Sequence, residues 1–262
     1  MEPNNDIKLA VLIDADNVSS NNIHGMLEEI AKYGTPTFKR IYGDWTRSGL
    51  DHWKRVLLDN SITPIQQYAY TSGKNATDSA MIIDAMDILY TGRVEGFCLV
   101  SSDSDFTRLA SRLREAGMKV YGIGEKKTPT PFISACNKFI YVEILKKSVP
   151  EEVQSKSERQ PRVIKSQKKV SQPAAEPISK IDQRTLQLLT NTIIDLADES
   201  GWASLGDVGN LLLKKKPNFD PRNYRFTKLF PLVKSISTIE VDERVSSKPN
   251  IKHVFVRVKV NR

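Results

Sequence analysis

The chain opens on an apolar run at residues 8–13, and the pattern that follows switches between two periods. After Ser19 and Ser20 come Ile23, Met26, Leu27, Ile30 and Ala31, the i, i+3, i+4, i+7, i+8 spacing that lines one helix face with apolar side chains. Gly34-Thr35-Pro36 stops that helix, and residues 38–42 read as a second strand. The alternation continues with a helix at 50–59, a strand at 64–70, a helix at 78–89 and a strand at 97–100. A helix at 106–116 and strands at 120–123 and 139–144 complete it. Strands separated by helices of this length predict a parallel sheet covered on both faces, a Rossmann-like α/β domain.

Between residues 146 and 180 the pattern disappears. Ser, Lys, Gln, Glu and four prolines (Pro150, Pro161, Pro173, Pro177) dominate, without one Phe, Tyr or Trp. Such a stretch buries too little apolar surface to offset its ordering entropy, so residues 148–180 are expected to be a flexible linker between domains at 1–147 and 181–262. The second domain reads as helices at 181–197, 205–213 and 222–233. Strands follow at 236–241 and 253–260, the last alternating Val254, Val256, Val258 and Val260. Three short helices closed by a hairpin predict a winged helix-turn-helix.

Composition narrows the class. A length of 262 residues suits two domains with cores of their own. No apolar run approaches the ~20 residues that span a bilayer, and the first six residues lack the basic and apolar regions of a signal peptide. A cytoplasmic protein is expected, with no membrane partner. Two cysteines and three histidines exclude disulfide scaffolds and Cys/His zinc modules. The net charge of +8 is unevenly placed: residues 1–148 hold 18 basic and 18 acidic side chains, residues 181–262 hold 14 and 9. The excess lies in the C-terminal part, where it would attract a polyanion such as a nucleic acid or form a solvated basic face.

The carboxylates carry the chemistry. Asp14 and Asp16 follow the first strand, and Asp103 and Asp105 follow the fourth. In open parallel sheets the crevice beyond the strands' carboxyl ends is the ligand site, so both clusters converge there. Asp78, near the start of the 78–89 helix, lies on the same edge. Each acid alone would serve as a turn-former or helix cap; together they repel unless a hard divalent cation, Mg²⁺ or Mn²⁺, lies among them. Asp84 either supports this site or is solvated.

Asp14-Ala15-Asp16-Asn17, Lys74-Asn75-Ala76-Thr77-Asp78 and Ser101-Ser102-Asp103-Ser104-Asp105-Phe106 resemble the three motifs of NYN domains, relatives of the PIN nucleases that cut RNA with Mg²⁺ or Mn²⁺. The resemblance covers about residues 7–145. It implies that Asp14, Asp78, Asp103 and Asp105 hold the metal, that Asn17 orients water or a ligand, and that Lys74 contacts phosphate. Many members read Lys-Gly-x-Asp, whereas Lys74 lies four residues before Asp78. Gly201-Trp202-Ala203-Ser204-Leu205 and Phe219-Asp220-Pro221-Arg222-Asn223-Tyr224 resemble the OST-HTH module, also called LOTUS, a winged helix associated with RNA. Members often continue with Gly-Tyr where this chain has Arg225-Phe226.

The expected activity is a metal-dependent ribonuclease, an endonuclease, with a C-terminal RNA-binding module. Lys214, Lys215, Arg222, Arg225 and Lys228 are candidate phosphate contacts, or simply a solvated face. Trp45 could stack on a base or pack in the core. Two alternatives stay open. Asp14-x-Asp16-x-Val18 also fits the haloacid dehalogenase phosphatase signature, although the helix begins too soon to leave room for a flap. A non-catalytic RNA-binding adaptor, or a module that binds a protein partner, is the other.

Overall fold

A computed structural model describes residues 6–68, 76–145, 181–245 and 252–259. The expected linker, Lys74 and the end of the expected 64–70 strand lie outside the described residues.

Strand β1 (Lys8–Asp14) is buried from Leu9 onward. Removing each Leu or Ile side chain from water contributes about 1.5–3 kcal/mol, which favours a central place for this strand. Around it lie β2 (Thr35–Gly43), β3 (Thr63–Gln66), β4 (Gly96–Val100), β5 (Lys119–Gly124) and β6 (Lys138–Tyr141), all parallel in the order β3-β2-β1-β4-β5-β6. Crossovers run through α1 (Ile23–Ile30), α2 (Asp51–Leu57), α3 (Ala76–Tyr90), α4 (Thr107–Glu115) and α5 (Thr130–Ala135), and α6 (Val142–Leu145) follows β6. The expected doubly covered parallel sheet is present.

Alternation along the strands decides what each face meets. Leu9, Val11 and Ile13 pack with Ile23, Met26, Ile30, Trp53 and Leu145 from α1, α2 and α6. Ala10 and Leu12 pack with Met81, Ala85, Leu109, Leu113 and Phe132 from α3, α4 and α5. On β4, Phe97 and Leu99 face the α3 layer while Cys98 and Val100 face the other. Continued by one residue, the rhythm brings both Asp14 and Ser101 onto the α3 side. The split between neighbouring β1 and β4, whose connections leave in opposite directions, is the topological switch point where such sheets bind ligands.

Several elements differ from expectation. Residues 139–144 are the end of β6 followed by α6, and the 50–59 helix is a 3₁₀ turn, Ser48–Leu50, leading into α2. Helices of four to six residues, such as α5 and α6, complete too few turns to print a 3.6-residue period.

The C-terminal module holds α7 (Gln183–Leu196), β7 (Ala203–Ser204), α8 (Leu205–Lys215), α9 (Leu229–Lys234), β8 (Ile239–Val245) and β9 (Lys252–Val258). Its antiparallel sheet runs β7-β9-β8, and Leu189, Ile193, Val208, Leu212, Leu232 and Val256 form its core. Asp182 caps α7 by accepting the Thr185 N–H at 2.8 Å. The expected 222–233 helix is two pieces. Asp220 caps a 3₁₀ turn, Pro221–Tyr224, which ends at Arg225 in the left-handed region with φ +67°. An L side chain there costs about 1–2 kcal/mol.

Arg225→Gly should therefore stabilise the module by up to about 1 kcal/mol, less than the full strain because glycine also loosens the unfolded chain. Thermal unfolding of the two proteins checks this; an unchanged or lower Tm contradicts it.

Candidate metal centre

Asp14, the last residue of β1, is 1% exposed. Its Oδ2 accepts hydrogen bonds from Asn17 Nδ2 at 2.6 Å and Ser101 Oγ at 2.8 Å, and its Oδ1 accepts the Asp16 N–H at 3.1 Å. Burial pushes its carboxyl upward, with the bonds from Asn17, Ser101 and Asp16 opposing that rise. Ser101 also accepts the Asp103 N–H at 3.1 Å, so one buried hydroxyl ties the end of β1 to the loop after β4. Asp103 then caps the next 3₁₀ turn, Ser104–Phe106, by accepting the Asp105 N–H at 2.9 Å. Ser102 Oγ accepts the Glu125 N–H at 2.8 Å and braces this loop against the end of β5.

Asp78 enters from the first turn of α3. One carboxylate oxygen from each of Asp78, Asp103 and Asp105 lies within 4.8 Å of the other two; Asp105 is exposed and the others half-buried. Burial first, then the charges of Asp14, Asp103, Asp105 and Asp16, raise the Asp78 carboxyl to about 6. Thr77 Oγ1 reaches Asp16 Oδ2 at 3.5 Å, at the rim. Three hard oxygen donors converging beside a fourth, buried carboxylate fit Mg²⁺ or Mn²⁺.

Asp84 is neither a member of this cluster nor solvated. It pairs with Arg40 and accepts a hydrogen bond from the Tyr42 hydroxyl, both from β2. Burial and the Asp84 charge push the Tyr42 phenol up, keeping it a neutral donor. The triad pins α3 to β2 and so helps fix Asp78. Trp45 is half-buried against the α1/α2 layer and donates its indole N–H to Ile65 O at 3.0 Å. Sequence reasoning missed Ser101 as a partner, although the β4 alternation continued by one residue would have found it.

The basic candidates fare unequally. Lys214, Arg225 and Lys228 are exposed, while Lys215 pairs with Asp195 at 2.5 Å. Arg222 is already engaged: its guanidinium forms a fork on Glu29 and also binds Asp220.

A model of the NYN domain matches residues 8–145, and one of the OST-HTH/LOTUS domain matches residues 176–251. A protein of unknown function from Vibrio parahaemolyticus RIMD 2210633 is similar in structure at 19% identity, with a TM-score of 0.44, over 54% of this chain and 96% of that one. An uncharacterized protein from Nitrosomonas europaea is 30% identical over 38% of this chain and 95% of its own, with a TM-score of 0.29. A Chromobacterium violaceum protein solved over residues 175–257 is 32% identical over 33% of this chain and 91% of its own, with a TM-score of 0.25. No curated protein matches the sequence. Among the described residues no helix is long and apolar enough to cross a membrane.

The electrostatics predict a pH effect with a definite sign. Asp78 has a folded-state value of about 6, above its ordinary 3.8, so the metal-free folded chain holds a proton that the unfolded chain has released. Its share of stability grows as pH falls from about 7 toward 4. Asp78→Asn should raise the Tm of metal-free protein at pH 7, with the gain shrinking toward pH 4. Melting curves across that range check it; a lower Tm for the variant at pH 7 contradicts it.

NYN domains are PIN-like nucleases and OST-HTH/LOTUS domains bind RNA, and with its NYN match extending over residues 8–145 this chain belongs to the NYN family, with an OST-HTH/LOTUS module joined behind it.

Proposed function

We propose that the protein is a Mg²⁺- or Mn²⁺-dependent ribonuclease, acting as an endonuclease in the cytoplasm, whose C-terminal module captures RNA. The observation that carries this reading is the convergence of Asp78, Asp103 and Asp105 within 4.8 Å beside the buried Asp14. A cation bound there would offset charge developing on the scissile phosphate and make a water acidic enough to supply hydroxide near neutral pH.

The chain's own residues do the rest. Asp78, Asp103 and Asp105 offer the oxygen ligands, and Asp14, fixed by Asn17 and Ser101, sets the negative potential beneath them. Asn17 keeps its carbonyl oxygen for water or a ligand while its amide holds Asp14. Lys214, Arg225 and Lys228 are exposed cations available for the RNA backbone; Lys74 stays a candidate phosphate contact by its motif. His24, His52 and His253 sit on α1, α2 and β9 and none joins the carboxylate cluster, so the reading draws its hydroxide from water and not from attack by an RNA 2′-hydroxyl. The phosphatase reading asks Asp14 to be a nucleophile. At 1% exposure with both oxygens hydrogen-bonded, it is suited to anchoring instead.

Labelled single-stranded RNA should be cut with Mn²⁺ or Mg²⁺ and left intact in EDTA, yielding 5′-phosphate and 3′-hydroxyl ends. Asp103→Asn should lower the rate by at least about a hundredfold, as loss of a transition-state electrostatic partner does. Cutting in EDTA, or 2′,3′-cyclic phosphate ends, would refute the mechanism. Hydrolysis of p-nitrophenyl phosphate without RNA cleavage would favour the phosphatase, and binding without cleavage the adaptor.

A further inference from the structure

A flexible linker between domains predicts a module that wanders, yet the described residues place it against the α/β domain through a built contact. Glu29, in the last turn of α1, is 3% exposed. Arg222 grips it with two parallel bonds, Nη1 to Oε2 at 2.8 Å and Nη2 to Oε1 at 2.7 Å. Asp220 holds the other side of the guanidinium, accepting from Nε at 3.0 Å and Nη2 at 2.7 Å. Lys32 and the Tyr33 hydroxyl complete the shell of Glu29, at 2.7 and 3.0 Å.

Burial alone would raise the Glu29 carboxyl, but the bonds from Arg222 and Lys32, the Arg222 charge and the Tyr33 hydroxyl outweigh it and hold it at about 2. The group is therefore ionised at any physiological pH. A fork-on-fork pair of this kind fixes orientation as well as distance.

A second contact lies on β6, one of the two edge strands of the sheet. Phe139 donates its N–H to Pro217 O at 2.9 Å, and Asn218 Nδ2 donates to the Tyr141 hydroxyl at 2.7 Å. An exposed edge invites pairing with other chains. Here Pro217 accepts one bond and, having no N–H, returns none, so the edge is partly covered without a continuing strand. Asn223 Nδ2 holds the Asn218 carbonyl at 3.2 Å, linking the edge contact to the 3₁₀ turn that carries Arg222.

We propose that Arg222–Glu29 and the β6 edge form a latch that seats the OST-HTH module at one fixed place on the NYN domain, so that RNA held by the module meets the aspartate crevice in a fixed register. β6 lies two strands beyond β4, roughly 10 Å across the sheet at the usual strand spacing. That is close enough for one RNA strand to touch both. Lys214, Arg225 and Lys228 take no part in the latch bonds and stay exposed. The seating is independent of the ribonuclease reading; the register rests on it.

Nitroxide labels on Leu58→Cys and Ile194→Cys, both exposed positions, report the interdomain distance in the full chain without metal or RNA. The native Cys98 and Cys136 are buried. A single narrow distance distribution is expected, broadening in Glu29→Lys and equally in Arg222→Gln, which alters only the module's side. Circular dichroism shows whether either variant remains folded. A distribution already broad in the parent chain, or one left narrow in both folded variants, would overturn the latch. On end-labelled single-stranded RNA, the parent should cut at few positions and Glu29→Lys at many. The same cut pattern in both would overturn the register, whereas no cutting in either counts against the ribonuclease reading and leaves the distance result to stand.

Discussion

Carboxylate oxygens from Asp78, Asp103 and Asp105 lie within 4.8 Å of one another, and such a group repels itself unless a proton or a cation sits among them. The α/β layer is what keeps them there. β1 and β4 are neighbours buried on both faces, so neither can retreat when charge accumulates at their ends. The Ser101 hydroxyl bridges the ends of the two strands, donating to Asp14 and accepting from the Asp103 N–H. Burial first, and then this repulsion, therefore appear as a raised Asp78 carboxyl rather than as displaced backbone. A site strained in this way when empty of cations favours binding one.

The same reasoning separates the acids by what they do. Asp14 has its oxygens occupied by Asn17, Ser101 and a backbone N–H and acts from beneath. Asp84, six residues beyond Asp78 on the same helix, has been drawn off by Arg40 and Tyr42 and holds the helix that carries Asp78. Glu29, at the opposite end of α1 from the crevice, has no part in the chemistry and joins the two domains instead. Five buried or half-buried acids thus divide among anchoring, ligation, bracing and docking, and neighbours rather than residue type decide which.

That division also marks where sequence reading stops. β1, β4 and the placement of Asp14, Asp103 and Asp105 were legible because apolar runs and the acids that end them are local features. Asp78 was legible from its motif and its place near a helix start. The roles of Asp84 and Arg222 were not, since their partners lie 42 to 44 and 193 residues away, and no local pattern encodes such a pairing. The third module helix breaks into two pieces because Arg225 carries a β-carbon into a left-handed conformation, where the residue type gives no warning. β7, only two residues long, was too short to register as a strand.

The central claim is that the crowded aspartates hold a divalent cation, and manganese binding followed by electron paramagnetic resonance tests it most directly, with no RNA present. The account predicts saturable Mn²⁺ binding by the full chain that Mg²⁺ competes away. It also predicts that Asp103→Asn lowers the affinity by at least about tenfold, a loss seen even for residues that merely orient metal ligands. Mn²⁺ binding of equal strength in the folded Asp103→Asn variant, or none in the parent chain, would contradict it.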